Sequence, residues 1–144
     1  NLDKGTAEEM FAHTDKFIGI KHTTSDLFAL EQFKTMKAKP IVYNGFDEML
    51  IGGLAMGADG GIGSTYNFMA EKFITIYRSF VNNDVKTACA TQYEVNEIIA
   101  QLIKYGVFAS EKYILECLGI EMGDCRRPFL PLSEEGKKAM REIA

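Results

Sequence analysis

Cysteine is scarce in this chain. Its three copies, Cys89, Cys117 and Cys125, are scattered, odd in number and form no C-x-x-C pair. That pattern argues against a disulfide framework or a structural zinc site and fits a reducing compartment such as the cytoplasm. Histidine is scarcer still, at two residues, and no His, Cys, Asp or Glu spacing has the form of a metal site, so no metal is expected. A basic surplus is missing as well: the net charge is −4, which leaves no case for neutralising nucleic-acid phosphates. No apolar run approaches a membrane span, and the opening residues do not follow the signal-peptide pattern, so no membrane partner is expected. There is no low-complexity segment and no linker rich in Pro, Gly and Ser.

What is present is an ordinary globular composition over 144 residues, enough for one domain with its own core. The first residue is Asn1 rather than Met, and the residues after it read as a loop entering a helix, as expected of a piece of a longer chain. "GTAEEMFAH" opens that helix, with Thr6 and Glu9 at capping-box spacing. "KFIGIK" (16–21) is too short and too apolar for a surface helix and suits a strand buried on both faces. "SDLFALEQFKTMK" (25–37) is helical, with Ser25 or Asp26 near its cap. "PIVYN" (40–44) reads as a second strand. "FDEMLIGGLAMG" (46–57) reads as a third helix despite Gly52 and Gly53, and "ADGGIGS" (58–64) contains a very short third strand. From 65 onward the pattern is helical: a segment to 84, a long helix from near Asp84 to the cap glycine Gly106, another over 110–119, an irregular crossing at 125–132 and a last helix from Ser133. Short apolar strands alternating with helices imply α/β architecture with parallel strands and right-handed crossovers. Residues 1–82 form three β/α units, and 83–144 a helical extension of the same domain.

Each predicted strand ends in polar or glycine residues. The first ends Lys21-His22-Thr23-Thr24, the second Asn44-Gly45-Phe46-Asp47-Glu48, the third Gly61-Ile62-Gly63-Ser64-Thr65. In parallel α/β architectures the carboxyl ends of neighbouring strands converge on one face, where ligands bind. An amine, two carboxylates, hydroxyls and bare glycine backbone would therefore meet in one crevice. A lysine at the end of a buried strand is costly as a charge, and the cost calls for a reason.

The stretches "GIKHTTSD", "YNGFDEMLIGGLAMGADGGIGSTYN" and "CRRPFLPL" closely resemble the pyruvate-dependent Schiff-base aldolases of the dihydrodipicolinate synthase family. "NGFDE" and "GGIGSTYN" favour the branch that acts on sialic acid. The resemblance implies a (β/α)8 TIM barrel with extra C-terminal helices, usually a tetramer, of which this chain is the C-terminal portion: the last three strands and the helices after them. The Gly-Ser-Thr loop that binds the pyruvate carboxylate and the proton-handling tyrosine would lie in the first part of the barrel. A partner chain or missing segment carrying five strands is therefore expected, because three open strands would expose unpaired edges and an uncovered barrel interior.

The resemblance also implies roles. Lys21 would attack the C2 keto group of the sugar acid and form an imine, so no cofactor is needed beyond that covalent link. The protonated imine accepts electrons as the C3–C4 bond breaks, giving pyruvate and N-acetylmannosamine from N-acetylneuraminate. A free lysine titrates at about 10.4, and desolvation would bring Lys21 toward the ~7–8 of tuned catalytic lysines. Without the flanking motifs, "GIK" would read as a lysine that snorkels or pairs with a carboxylate. Thr23 lies on the same side as Lys21 and would bond the substrate, with helix capping as its bland alternative. Asp47 and Glu48, with the Gly45 backbone, would accept hydrogen bonds from a polyhydroxyl tail; the plain alternative is charge complementing a helix dipole. Gly63 and Ser64 would complete that wall, where tight packing is the competing account. His22 points away from Lys21 and reads as structural, and neither Tyr43 nor Tyr66 is given a catalytic role. Two rivals remain: another pyruvate-dependent aldolase of the family, or a non-catalytic assembly subunit with the same fold.

Overall fold

The computed structural model describes residues 2–144. Three parallel strands, β1 (Gly19–His22), β2 (Ile41–Asn44) and β3 (Gly60–Gly61), form one sheet in the order β1-β2-β3. Helix α1 (Lys4–His13) precedes β1, α2 (Leu27–Lys34) crosses from β1 to β2, and α3 (Leu50–Ala55) crosses from β2 to β3. Then come α4 (Tyr66–Val81), α5 (Val85–Tyr105), α6 (Val107–Cys117) and α7 (Glu134–Ile143). The α/β alternation followed by helices matches the sequence reading, with shifts at element ends.

Several of those shifts have clear causes. The cap of α1 is Asp3, not Thr6: the Thr6 backbone N–H donates to Asp3 Oδ1 at 2.9 Å, which starts the helix three residues earlier. The 46–57 helix is shorter than expected because Asp47–Met49 forms a 3-10 turn before α3. α4 is kinked, with Met69 off helical backbone angles. α6 starts at Val107 because Gly106, at φ 105°, both ends α5 and opens α6. The caps at Asp26, Asp84 and Ser133 all accept hydrogen bonds from the first turns of their helices.

Register decides which side chains share a face. Lys21 lies opposite Tyr43, and Tyr43 opposite Gly60; His22 lies opposite Asn44, and Asn44 opposite Gly61. Ile20 and Val42 pack with Leu30, Phe33 and Met36 beneath the sheet. His22 stands edge-on to Phe33, with centroids 5.8 Å apart, and Asn44 sits where a side chain on Gly53 would go. A Cβ on Gly53 would come within 2.6 Å of Asn44, so the glycine lets α3 settle on β2. The helix-facing row is thus Ile20, His22, Val42 and Asn44. Alternation turns Lys21 and Tyr43 to the other face.

That other face has no cover. The strand over 16–21 is expected to be buried on both faces; instead the element spans Gly19–His22, Lys21 is exposed, and Ile41, on the same face of β2, is 39% exposed. The reason is architectural: β1 and β3 are both edges, and among the described residues no strand lies across from the sheet. Below the strand ends, Lys34 Nζ meets both carboxylate oxygens of Asp59 at 2.7 and 2.6 Å, and Asp59 Oδ2 accepts from the Val42 N–H at 2.8 Å. That bridge locks the entry to β3 against β2, and the lysine is the main cause holding the Asp59 carboxyl below its ordinary pKa.

After β3, helices α4 and α5 pack against α3. Leu50 and Leu54 of α3, Phe73 and Ile76 of α4, and Val95 and Ile99 of α5 share one core cluster. A second cluster joins Leu102, Ile114 and Met140 of the last three helices with Leu132. No helix among the described residues is long and apolar enough to cross a membrane.

Candidate active site

All seven residues singled out from the sequence lie at or just beyond the carboxyl ends of the three strands. Lys21 is the third residue of β1, and Thr23 is the first residue after it. Gly45 follows β2, Asp47 and Glu48 form the 3-10 turn, and Gly63 and Ser64 lie between β3 and α4. Two strand spacings of ~4.8 Å separate the Lys21 backbone from Gly60, so the crevice spans about 10 Å across the sheet. The first loop pair is tight: Gly45 N–H donates to His22 O at 2.7 Å, and a Cβ on Gly45 would fall 2.1 Å from Thr23 Oγ1. Gly45 therefore brings the Thr23 hydroxyl over the end of β2. Lys21 itself makes no ion pair among the described residues.

The second pair is tighter. A Cβ on Gly63 would lie 1.4 Å from Asp47 Oδ1, so the Asp47 carboxylate fills the space above that glycine. Asp47 is buried, 6% exposed, and its Oδ2 accepts from the Thr65 N–H at 3.0 Å and from the Thr65 hydroxyl. One carboxylate oxygen thus ties the turn after β2 to the start of α4. Asp47 stands in the first turn of the 3-10 helix with one oxygen committed within the chain. Glu48, half-buried, makes no ion pair among the described residues. Ser64 is exposed, and its hydroxyl donates to Glu111 Oε1 at 2.6 Å.

Three residues of this site carry no motif in the sequence. Gln92 Nε2 donates to Asp47 O at 3.1 Å, while its Oε1 accepts from the Ile51 N–H at 3.3 Å. Asn96 Nδ2 donates to Glu48 O at 3.1 Å, and Gln92 Nε2 also reaches Asn96 Oδ1 at 2.9 Å. Gln92 and Asn96 are one turn apart on α5, so a single helix face clamps both carbonyls of the acidic turn. The available signal was a buried glutamine in the apolar stripe of Ala88, Val95, Ile99 and Leu102. Glu111 is the third. It is 8% exposed on α6, and burial is the main cause raising its pKa, opposed by the Ser64 hydrogen bond and assisted by the Asp47 charge.

Tyr66 borders the same acidic group. Its hydroxyl is buried with no hydrogen-bond partner among the described residues and sits 2.3 Å from where a Cβ on Gly61 would be. Burial first, then the Asp47 and Glu48 charges, push its pKa up, so the phenol keeps its proton. His22 is a packing residue: its Nε2 lies 2.9 Å from Asp26 O and 3.3 Å from Thr24 Oγ1.

The two edges of the sheet are open. A groove of about 230 Å³ runs beside β1 over Lys21, Thr23 and Phe33, and a largely apolar one of about 310 Å³ lies between the β3 edge and α4 over Gly61, Tyr66 and Phe73. The sequence profile of the Dihydrodipicolinate synthetase family matches residues 2–144. The chain belongs to this family. Among its relatives, the N-acetylneuraminate lyase of Rhizobium meliloti is 42% identical over 134 residues, covering 93% of this chain and 44% of that protein. N-acetylneuraminate lyase 2 of Escherichia coli O6:H1 is 41% identical over 126 residues, covering 87% of this chain and 41% of that one. Among solved structures, the Clostridium difficile protein CdNal in complex with mannosamine superposes with a TM-score of 0.92 at 30% identity, over 99% of this chain and 49% of that chain. The Fusobacterium nucleatum N-acetylneuraminate lyase complexed with pyruvate gives 0.90 at 30% identity, over 99% and 48%. The chain spans less than half the length of each of these family members. The described strands and helices are the C-terminal portion of the family's barrel, which explains both open edges.

Proposed function

We propose that this chain supplies the lysine-bearing half of an aldolase active site that cleaves N-acetylneuraminate to pyruvate and N-acetylmannosamine. The observation that carries the reading is placement. Lys21 lies on the strand face that a barrel would enclose, and the Thr23–Gly45 and Asp47–Gly63 contacts assemble the loops around it. The neutral Lys21 amine attacks the C2 carbonyl, and the carbonyl oxygen leaves as water to give a protonated imine. The C4 hydroxyl then loses its proton, the C3–C4 bond breaks, and its electron pair moves into the imine to form an enamine. Protonation at C3 and hydrolysis release pyruvate and return the amine; the aldehyde departs as the amino sugar. The remaining five strands, on a missing segment or partner chain, would cover Lys21, remove water from it and so favour the neutral amine. Among the described residues nothing covers Lys21.

Thr23 bonds the reacting end of the substrate. Glu48 and Ser64 accept from its tail, with Gly45 and Gly63 leaving room. Asp47, with one oxygen committed to Thr65, shapes this wall more than it binds. That commitment bears on the rival reading, a family aldolase with a different acceptor aldehyde, because it leaves fewer free tail contacts. Barrel-complete protein is expected to release pyruvate from N-acetylneuraminate, and Lys21→Met to lose roughly 10³-fold or more of that turnover, as loss of a nucleophile does. Undiminished turnover in Lys21→Met would refute the mechanism. Equal cleavage of a sugar acid without the polyhydroxyl tail would favour the rival substrate.

A further inference from the structure

A carboxylate buried to 8% exposure needs a partner, and an apolar side chain would serve packing on α6 at less cost. Glu111 sits between Ser110, Ile114 and Leu115 on the buried face of α6, yet reaches back 47 residues to the loop after β3. Ser64 is its side-chain hydrogen-bond partner among the described residues, at 2.6 Å, the short distance of a charge-assisted O–H···O bond. A hydroxyl has one proton and two lone pairs. Because the Ser64 proton is directed at Glu111, what Ser64 offers to the crevice is lone pairs alone.

We infer that Glu111 is a positioning residue that sets the polarity of Ser64, fixing it as an acceptor for hydroxyl donors of the bound ligand. The inference rests on the sugar-acid reading above and deepens it. Glu48 is half-buried beside the same loop and, as a carboxylate, also only accepts. The wall therefore selects a ligand tail that donates at each position: free hydroxyls, and not ethers or ketones. The helical extension, through α6, thus sets tail selectivity while the sheet supplies the nucleophile.

The test compares Glu111→Ala, Glu111→Gln, Ser64→Ala and the double variant Glu111→Ala/Ser64→Ala in barrel-complete protein. Glu111→Ala is expected to raise KM for N-acetylneuraminate about tenfold, the scale of one hydrogen bond to a charged group, with the loss falling on KM rather than kcat. Glu111→Gln keeps an oxygen that accepts from Ser64 and should restore KM to within about threefold of wild type, the scale of a weaker neutral acceptor. In the Ser64→Ala background, Glu111→Ala should add nothing further. A Glu111→Ala effect that persists undiminished without the Ser64 hydroxyl, or that falls on kcat alone, overturns the inference. Glu111→Gln behaving like Glu111→Ala overturns it too. Absence of wild-type cleavage would be a different failure, that of the aldolase reading itself, and the inference would fall with it.

Discussion

Replacing Gly63 by alanine tests the acidic turn with a single methyl group. Gly63 does not have a positive φ, so alanine is free of backbone strain there. Its Cβ, however, would lie 1.4 Å from Asp47 Oδ1, 2.1 Å from Cγ and 2.5 Å from Oδ2. An overlap of that size is relieved only if the Asp47 carboxylate swings away. It then gives up the Thr65 N–H and hydroxyl, and the start of α4 loses its anchor to the turn. Hydrogen bonds to a charged group are worth about 1.5–3 kcal/mol each and overpacking costs about 1–3 kcal/mol, with partial overlap between them, so Gly63→Ala should cost about 2–4 kcal/mol. Asp47→Ala alone should cost about 2–3 kcal/mol, since it unpairs the same two donors. The double variant Gly63→Ala/Asp47→Ala should resemble Asp47→Ala, because the methyl group then has space. Urea unfolding of the four barrel-complete proteins reads the coupling directly. A Gly63→Ala cost below about 0.5 kcal/mol, or costs that simply add in the double variant, would refute the packing account.

Three further outcomes follow from the same geometry. Burial raises the Glu111 pKa, so folding favours its protonated form more than the unfolded chain does; that relative stability is complete below its ordinary value of 4.5 and is lost as pH rises through the folded value, above which Glu111 is the carboxylate that holds Ser64. Glu111→Gln should therefore gain stability relative to wild type from pH 4.5 upward, and a pH-independent difference in melting curves would contradict this. Gln92→Ala frees the Asp47 carbonyl and the Ile51 N–H, and should cost about 1–3 kcal/mol and raise KM for the sugar acid; an unchanged melting temperature would count against the clamp. The chain on its own, with Lys21 and Ile41 on an uncovered sheet face, should associate, and a well-behaved monomer by light scattering would argue that the face needs no cover.

Much of this was legible from the sequence because its signals are local. Apolar runs of four or five residues, the cap residues Asp26, Asp84 and Ser133, and Gly106 mark the elements by their own chemistry. The clustering of Lys21, Thr23, Gly45, Asp47, Glu48, Gly63 and Ser64 follows from parallel topology, which puts every strand's carboxyl end on one rim. The exposure of Lys21 was not legible, because burial of β1 depends on strands that lie outside this chain. Gln92, Asn96 and Glu111 were missed for another reason. Their partners are 41 to 48 residues away, and a polar side chain in an amphipathic stripe does not say which carbonyl it meets. Asp47 illustrates a third limit: its charge was evident, but its commitment to Thr65 arises only when the β2 and β3 loops cross.

The imine is the centre of the account, and it can be trapped. The chain, alone and combined with the rest of its barrel, is incubated with pyruvate and borohydride, and the adduct is located by peptide mass. The account predicts a stable adduct on Lys21 when the barrel is complete and little or none on the isolated chain. No adduct in the complete barrel, or one on a different lysine, would contradict it.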